Sequence, residues 1–343
     1  MKHVFKHIIA SALIVLGSTS LCAQKTTETI VVDLNGKGQF TSIQDALNSL
    51  NDTSSTIRTI LVKNGVYREK LFVQKHNLII EGEDREKTIF LASIARDEWR
   101  CEHPDDWGVA TMNISAKDLT LKNLTVTNEV GFTFVPHTFT CASDTSSASH
   151  VKEARKDGHQ MALRTMNGAT RMRAINCHFT AYGGDTVSPW DVDNGLWYFK
   201  DCIMEGGVDF YCPRGWAWAE NCTFKSWTGP AAIWHDGSKN PDSKSIFKNC
   251  LFTGYDGFTL GRYHKDAQFF LIDCTFAANM KDADIYLVPT ATAPQWGRRI
   301  YYADCHKKSG KEFSWYKNNL PENIQKDNIT AQWVFGDKWN PLK

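Results

Sequence analysis

Beyond residue 28 the apolar residues come mostly in short runs of alternating polarity, broken by glycine, asparagine and aspartate. Thr29-Ile-Val-Val reads as a strand and Gly36-Lys-Gly38 as a turn. Runs at 59–63, 70–74, 78–81 and 88–91 read as further strands, with Asn64-Gly65 and Glu81-Gly82 as breakers. One stretch has a different period. Thr41-Ser-Ile-Gln44 has the form of a capping box, and Ile43, Ala46, Leu47 and Leu50 follow at helical spacing. A single apolar stripe of that length predicts a helix capping one end of a β core.

From residue 117 onward a weak repeat emerges. Its copies are Lys-Asn123-Leu-Thr, Ile-Asn176-Cys-His-Phe, Lys-Asp201-Cys-Ile-Met, Glu-Asn221-Cys-Thr-Phe, Lys-Asn249-Cys-Leu-Phe, Ile-Asp273-Cys-Thr-Phe and Ala-Asp304-Cys-His. The polar markers lie 53, 25, 20, 28, 24 and 31 residues apart. A period in the twenties built of short strands and turns predicts an all-β fold, a parallel β-helix, because each coil of such a solenoid cannot bury its own apolar face. The gap of 53 is either two coils or one coil with a long insertion. Within each marker the cysteine shares a face with the following Phe or Met, so stacking at about 4.8 Å per rung would gather the cysteines into an internal ladder. Short Cys/His ligand spacings, which a metal site would need, are absent.

Two segments interrupt the repeat. Residues 95–108 are charged and contain two tryptophans, and residues 131–158 are polar and rich in Ser, Thr and His. Both predict loops projecting from the coils, as insertions in solenoids do, often lining the binding face. Past residue 311 the pattern is less regular, with a helix expected over 312–319 and Trp333, Phe335 and Trp339 packing back onto the coil.

Composition narrows the function. Thirty-nine basic against 38 acidic residues give no polyanion-binding signature, which argues against nucleic acid. Lys2, His3, Lys6 and His7 precede the apolar run 8–17 and a cleavage position after Ala23, predicting an export signal over 1–23 and a single domain over 24–343. That run is too short to span a bilayer well, and no other stretch is apolar enough, so the expected compartment is periplasmic or extracellular. A lipoprotein anchored through Cys22 is the lesser alternative, because Leu21 stands where a small residue is usual. Without Cys22 nine cysteines remain, an odd number, so at least one thiol is unpaired.

The chemistry concentrates in two consecutive repeats. Asp185 lies nine residues after Asn176, and Asp209 eight after Asp201, so the two fall at nearly the same phase of successive coils. A lone Asp in a turn is usually a backbone cap. Two carboxylates one rung apart cannot both ionise freely, and one is pushed toward the acid form. Arg262 could hold the charged one, and Gln160 could offer an amide donor from the other side. Trp234 shares the phase of Arg262 one coil earlier and is a candidate sugar platform, though a core role is equally open. His264, Tyr211 and Trp190, close in sequence to these groups, complete the substrate-binding candidates.

These motifs resemble the pectin methylesterases of carbohydrate esterase family eight. Gly65-Val-Tyr-Arg-Glu69 resembles the family's Gly-x-Tyr-x-Glu, and Gln160-Met-Ala-Leu resembles Gln-Ala-Val-Ala-Leu. Gly207-Val-Asp209-Phe resembles the nucleophile motif Gly-Thr-Val-Asp-Phe, and Leu260-Gly-Arg262 the start of Leu-Gly-Arg-Pro-Trp. The resemblance implies a right-handed parallel β-helix, with Asp209 as nucleophile, Asp185 as general acid/base, Arg262 orienting Asp209 and Gln160 as an oxyanion donor. It also implies a pectic substrate and no cofactor; a monomer is expected.

There are departures. The family's Tyr-Gln-Asp-Thr-Leu becomes Tyr182-Gly-Gly-Asp185-Thr-Val, with one residue inserted and the glutamine gone, and the Trp after Leu-Gly-Arg is replaced near His264. Backbone N–H groups of Gly183 and Gly184 are candidates to replace the lost donor. The changed pocket suggests a branched or unusual pectic region. Two other classes stay open: a pectic-oligosaccharide-binding protein on an esterase scaffold, and a β-helix glycosidase, or a lyase using calcium at Asp191 and Asp193.

Overall fold

The computed structural model describes residues 28–343 apart from 53–54, 145–147, 167, 236–238 and 290–291. The expected export signal at 1–23, Cys22 included, lies outside the described residues.

Coil after coil, the chain adds one strand to each of three parallel faces. One face is a sheet of ten strands from Glu28–Val32 to Arg299–Ala303, and a second is a sheet of nine from Gly65–Tyr67 to His306–Lys307. The third is divided. Leu71–Val73, Ala110–Ile114, Met161–Thr165 and Val187–Ser188 form one part, and Ala231–Trp234, Thr259–Tyr263 and Tyr286–Leu287 the other. Between them a single residue, Tyr211, bridges Val187 on one side and Ile233 on the other. This is the parallel β-helix that the repeat predicts.

The repeat markers are the corners of the coils. Asn123, Asn176, Asp201, Asn221, Asn249, Asp273 and Asp304 all have φ between 51° and 55°, the left-handed region that Asn and Asp tolerate best among residues with a Cβ. Their side chains also tie coil to coil: Asn176 donates to Asn123 at 2.9 Å, Asn221 to Asp201 at 3.1 Å and Asn249 to Asn221 at 2.8 Å. The next residue turns inward, so Cys177, Cys202, Cys222, Cys250, Cys274 and Cys305 are buried thiols in one column. Behind them stack Phe179, Met204, Phe224, Phe252 and Phe276, with Phe224 parallel to Phe252 at 4.9 Å. The strand Lys117–Lys122 pairs directly with Thr170–Ile175, so the gap of 53 is one coil bearing an insertion.

The helix at the open end spans Ile43–Ser49, with Ile43, Ala46 and Leu47 buried. Its cap is Ser42, one residue later than the capping box suggests, and its second cap comes from a distant residue: Glu69 accepts from the backbone of Ile43 and Gln44 and from the Ser42 hydroxyl. Gln44 turns away to bond the backbone N–H of Phe72. At the other end no helix forms over 312–319. Phe313, Trp315 and Tyr316 all pack at the terminal coil, Trp315 and Tyr316 against Tyr302 and Phe313 and Trp315 against Phe276, and a helix would carry side chains two residues apart to different faces. The tail helix is Ala331–Phe335, capped by Thr330.

The insertions are structured. The first contains the helix Arg96–Glu102, and the second the antiparallel hairpin of Thr138–Thr140 with Val151–Glu153. A disulfide between Cys101 and Cys141 joins them, a pairing the cysteine ladder gives no hint of. The other seven cysteines among the described residues are free and buried.

Candidate active site

The site lies where the third face narrows to Tyr211. The bridge between Val187 and Tyr211 fixes a register that sets Asp185 beside Asp209, and the Asp185 N–H donates to the carbonyl of Val208 at 3.3 Å. Both aspartates adopt left-handed backbone, φ 57° and 48°. The inserted glycine therefore does not turn Asp185 away from its neighbour's rung.

Arg262, on the strand Thr259–Tyr263, grips Asp209 from the next coil but one. Its Nε donates to both carboxylate oxygens at 3.1 and 3.2 Å, and an Nη donates to Oδ2 at 2.7 Å. Asp209 is only 8% exposed. Burial pushes its carboxyl up to about 6, outweighing Arg262; Asp185 adds to the rise and His159 opposes it. Asp209 is thus ionised at neutral pH but takes up a proton in weak acid. The Arg262 guanidinium is in turn held above its usual range by its hydrogen bond to Asp209.

Trp234 is paired in register with Arg262, and the guanidinium lies 5.2 Å over its ring. His264 meets the same indole edge-on at 4.6 Å. Trp234 and His264 therefore form one wall beside the arginine. Trp190 is 40% exposed, with the guanidinium groups of Arg164 and Arg214 each 4.5 Å from its ring centre. Arg164 is buried against Asp106 and Ser188, and Asp106 also takes Arg96 and Arg100, so this cluster docks the first insertion on the coil.

Four sequence expectations are corrected. Tyr211 does not meet a substrate: it is fully buried against Phe199, Phe224 and Phe247, because left-handed backbone at Asp209 breaks the alternation that would have turned it outward. Gln160 is not poised as an oxyanion donor. It is 1% exposed, its Nε2 donates to Lys156 O at 2.6 Å, and its Oε1 accepts from the N–H groups of Gly131 and Gly183 at 3.1 and 3.2 Å. The glycine amides do not take over either, since Gly183 N–H goes to Gln160 and Gly184 N–H to Gly158 O at 3.0 Å. Asp191 spends its carboxylate on the N–H groups of Asp193 and Asn194, and Asp193 pairs with Lys239, which leaves neither arranged for calcium.

Sequence reasoning missed His159. Its backbone pairs with Gly184, and its Nε2 stands 3.9 Å from Asp185 Oδ1. The signal was its place directly before Gln160, one position out of register with Asp185 on the adjacent coil. An aromatic trio of Phe132, Tyr182 and Trp227, with Lys156 and Lys225 over two of its rings, was missed as well, because Phe132 comes from an insertion without repeat phase.

Comparison with known proteins agrees with the fold. The family model described as Pectinesterase matches residues 29–166. Pectinesterase QRT1 of Arabidopsis thaliana is 24% identical over 340 residues, 92% of this chain and 80% of that protein. A second Arabidopsis thaliana relative described as a pectinesterase is 30% identical over 240 residues, 68% of this chain, which spans 57% of that relative's length. A solved pectin methylesterase in complex with a hexasaccharide superposes with a TM-score of 0.70 at 22% identity, covering 92% of this chain and 99% of its own. Its likeness is one of fold. The family match, the relatives that extend it along the chain and the shared β-helix together identify this chain as a divergent member of the pectinesterase family.

Proposed function

We propose that this chain is a carboxylic ester hydrolase that removes methyl esters from galacturonate units of a pectic polysaccharide. The observation that carries the reading is the Arg262 fork on a buried Asp209 with Asp185 one rung away. Asp209 Oδ attacks the ester carbonyl carbon, and the methoxide leaves with a proton from Asp185. Water then gives a proton back to Asp185 and attacks the acyl-enzyme, releasing the galacturonate carboxyl and restoring Asp209. Arg262 keeps Asp209 ionised and aimed. Trp234, His264 and Trp190 form the walls that would hold the sugar chain. The two stapled insertions flank the cleft on the Gln160 side and favour a branched or unusual pectic region. The domain is taken as 24–343, exported and monomeric.

Burial of Gln160 and engagement of both glycine amides leave one competing reading to test, a pectic-oligosaccharide-binding protein. Methanol release from methylated pectic fractions separates the two. The esterase reading expects release, lost by at least about 10³-fold in Asp209→Ala. Binding of oligogalacturonides without methanol from any fraction would replace it with the binding reading.

A further inference from the structure

Methoxide departure in the mechanism proposed above needs a proton on the acid beside Asp209 at the pH where Asp209 itself is ionised. An ordinary carboxyl gives up its proton well below neutrality, at roughly pH 4. Asp185 is not sealed from water, its side chain being 23% exposed. A second group beside Asp185 able to carry that proton would keep the acid loaded over a wider pH range.

The geometry points to His159 as the acid–base partner of Asp185: the two side chains carry one proton between them, which leaves with the methoxide and is replaced from the attacking water. His159 Nε2 lies 3.9 Å from Asp185 Oδ1, a gap that one water or a small side-chain rotation closes. Among the described residues no hydrogen bond claims the ring, and its side chain is 44% exposed. Imidazole is the side chain that changes charge between about pH 5 and 8, so a His–Asp pair keeps its proton into the range where a lone carboxyl would have lost it. When methoxide takes the proton through Asp185 Oδ, the imidazole is left neutral; when water attacks, the proton returns to the pair. No other reactant is needed.

The departure at position 184 fits this role. A Cβ at Gly184 would come within 3.0 Å of His159 Cδ2 and 2.9 Å of Val208 O, so a side chain there would push the imidazole from its place or shift the backbone.

Other charges face the imidazole. Asp97 and Glu98 of the helix Arg96–Glu102 line the same recess with Arg155, and Lys156 lies beyond it. On the coil side stand Asp209 with Arg262, and Arg164, which feels Asp185. The cations and anions are mixed, and Asp185 is the carboxylate closest to the ring nitrogen.

This inference rests on the esterase reading for its chemistry but can be tested apart from it. The first arm is the pH profile of kcat/KM for methanol release in the native protein, His159→Gln and His159→Asn. The bell is expected to narrow from both sides. Its alkaline limb moves down because Asp185 alone loses the proton earlier, and its acid limb moves up because Asp209 loses a neighbouring cation. Each shift is expected at about 0.5–1 pH unit. A merely structural histidine would lower the whole profile without moving either limb, and that result overturns the proposal. The second arm needs no turnover: the NMR titration of the His159 imidazole in the native protein and in Asp185→Asn, a substitution suited to left-handed backbone. The midpoint is expected to fall by about 0.5–1 unit once the carboxylate is gone. An unchanged midpoint overturns the pairing even if no pectic fraction yields methanol.

Discussion

At the scale of single residues, the site gives up stability to hold a charged carboxylate at Asp209. Asp209 is buried, and its carboxyl holds a proton up to about pH 6, whereas an unfolded chain releases it near 4. The folded state therefore binds the extra proton in that window. The stability this provides is complete below about pH 4 and is lost as pH rises through about 6. Asp209→Asn removes the titration while keeping a side chain at home in left-handed backbone. Its stability relative to the native protein, followed by urea denaturation at several pH values, should climb between pH 4 and 6 by up to about 3 kcal/mol. A flat difference would mean that Arg262 cancels the burial completely. Asp185 and Asp209 were legible from coil phase, and Arg262 and Trp234 from the shared phase one rung apart. Gln160 was legible as a neighbour of the site but not in its duty, because which groups an amide's two ends meet depends on Gly131 and Lys156, which lie in an insertion. Tyr211 was misplaced for the opposite reason: the residue that reverses its direction is Asp209, the proposed nucleophile.

At the scale of elements, the corner asparagines do two jobs that a substitution can separate. Asn221 adopts φ 54°, donates to Asp201 and accepts from Asn249. Asn221→Ala should lose both the backbone tolerance and the two bonds, costing about 2–3 kcal/mol, while Asn221→Gly should recover the backbone share of about 1 kcal/mol. Equal losses for the two variants in denaturant unfolding would show that the backbone is not under tension there. These corners made the solenoid readable, since a marker that must be Asn or Asp recurs once per coil. The helix cap was less readable because half of it comes from Glu69, on a different coil. The disulfide was hidden for a similar reason. Cys101 and Cys141 sit 40 residues apart in two insertions that also meet through His137 and Glu98, and no periodicity records that.

At the scale of the molecule, a fold with one repeating cross-section concentrates its sequence signal in the coils and leaves the ends and insertions to tertiary packing. The ends are closed by the helix Ile43–Ser49 and by the aromatic tail around Trp315, and only the first of these had a periodic signature. The buried thiol column has a use as a recorder of time. Burial holds the Cys250 and Cys274 thiols well above their usual range, so a thiol reagent in the surrounding water finds no thiolate to attack while the coils remain stacked. Each of the six column cysteines marks a different coil from 177 to 305. Solenoids couple each repeat only to its neighbours, so they can open from an end rather than all at once. Labelling followed by peptide mapping in dilute denaturant should modify Cys305 first and Cys177 or Cys202 last, since these two coils lie midway along the ten-stranded face. Simultaneous modification of all six would instead show that the coils come apart as one cooperative unit.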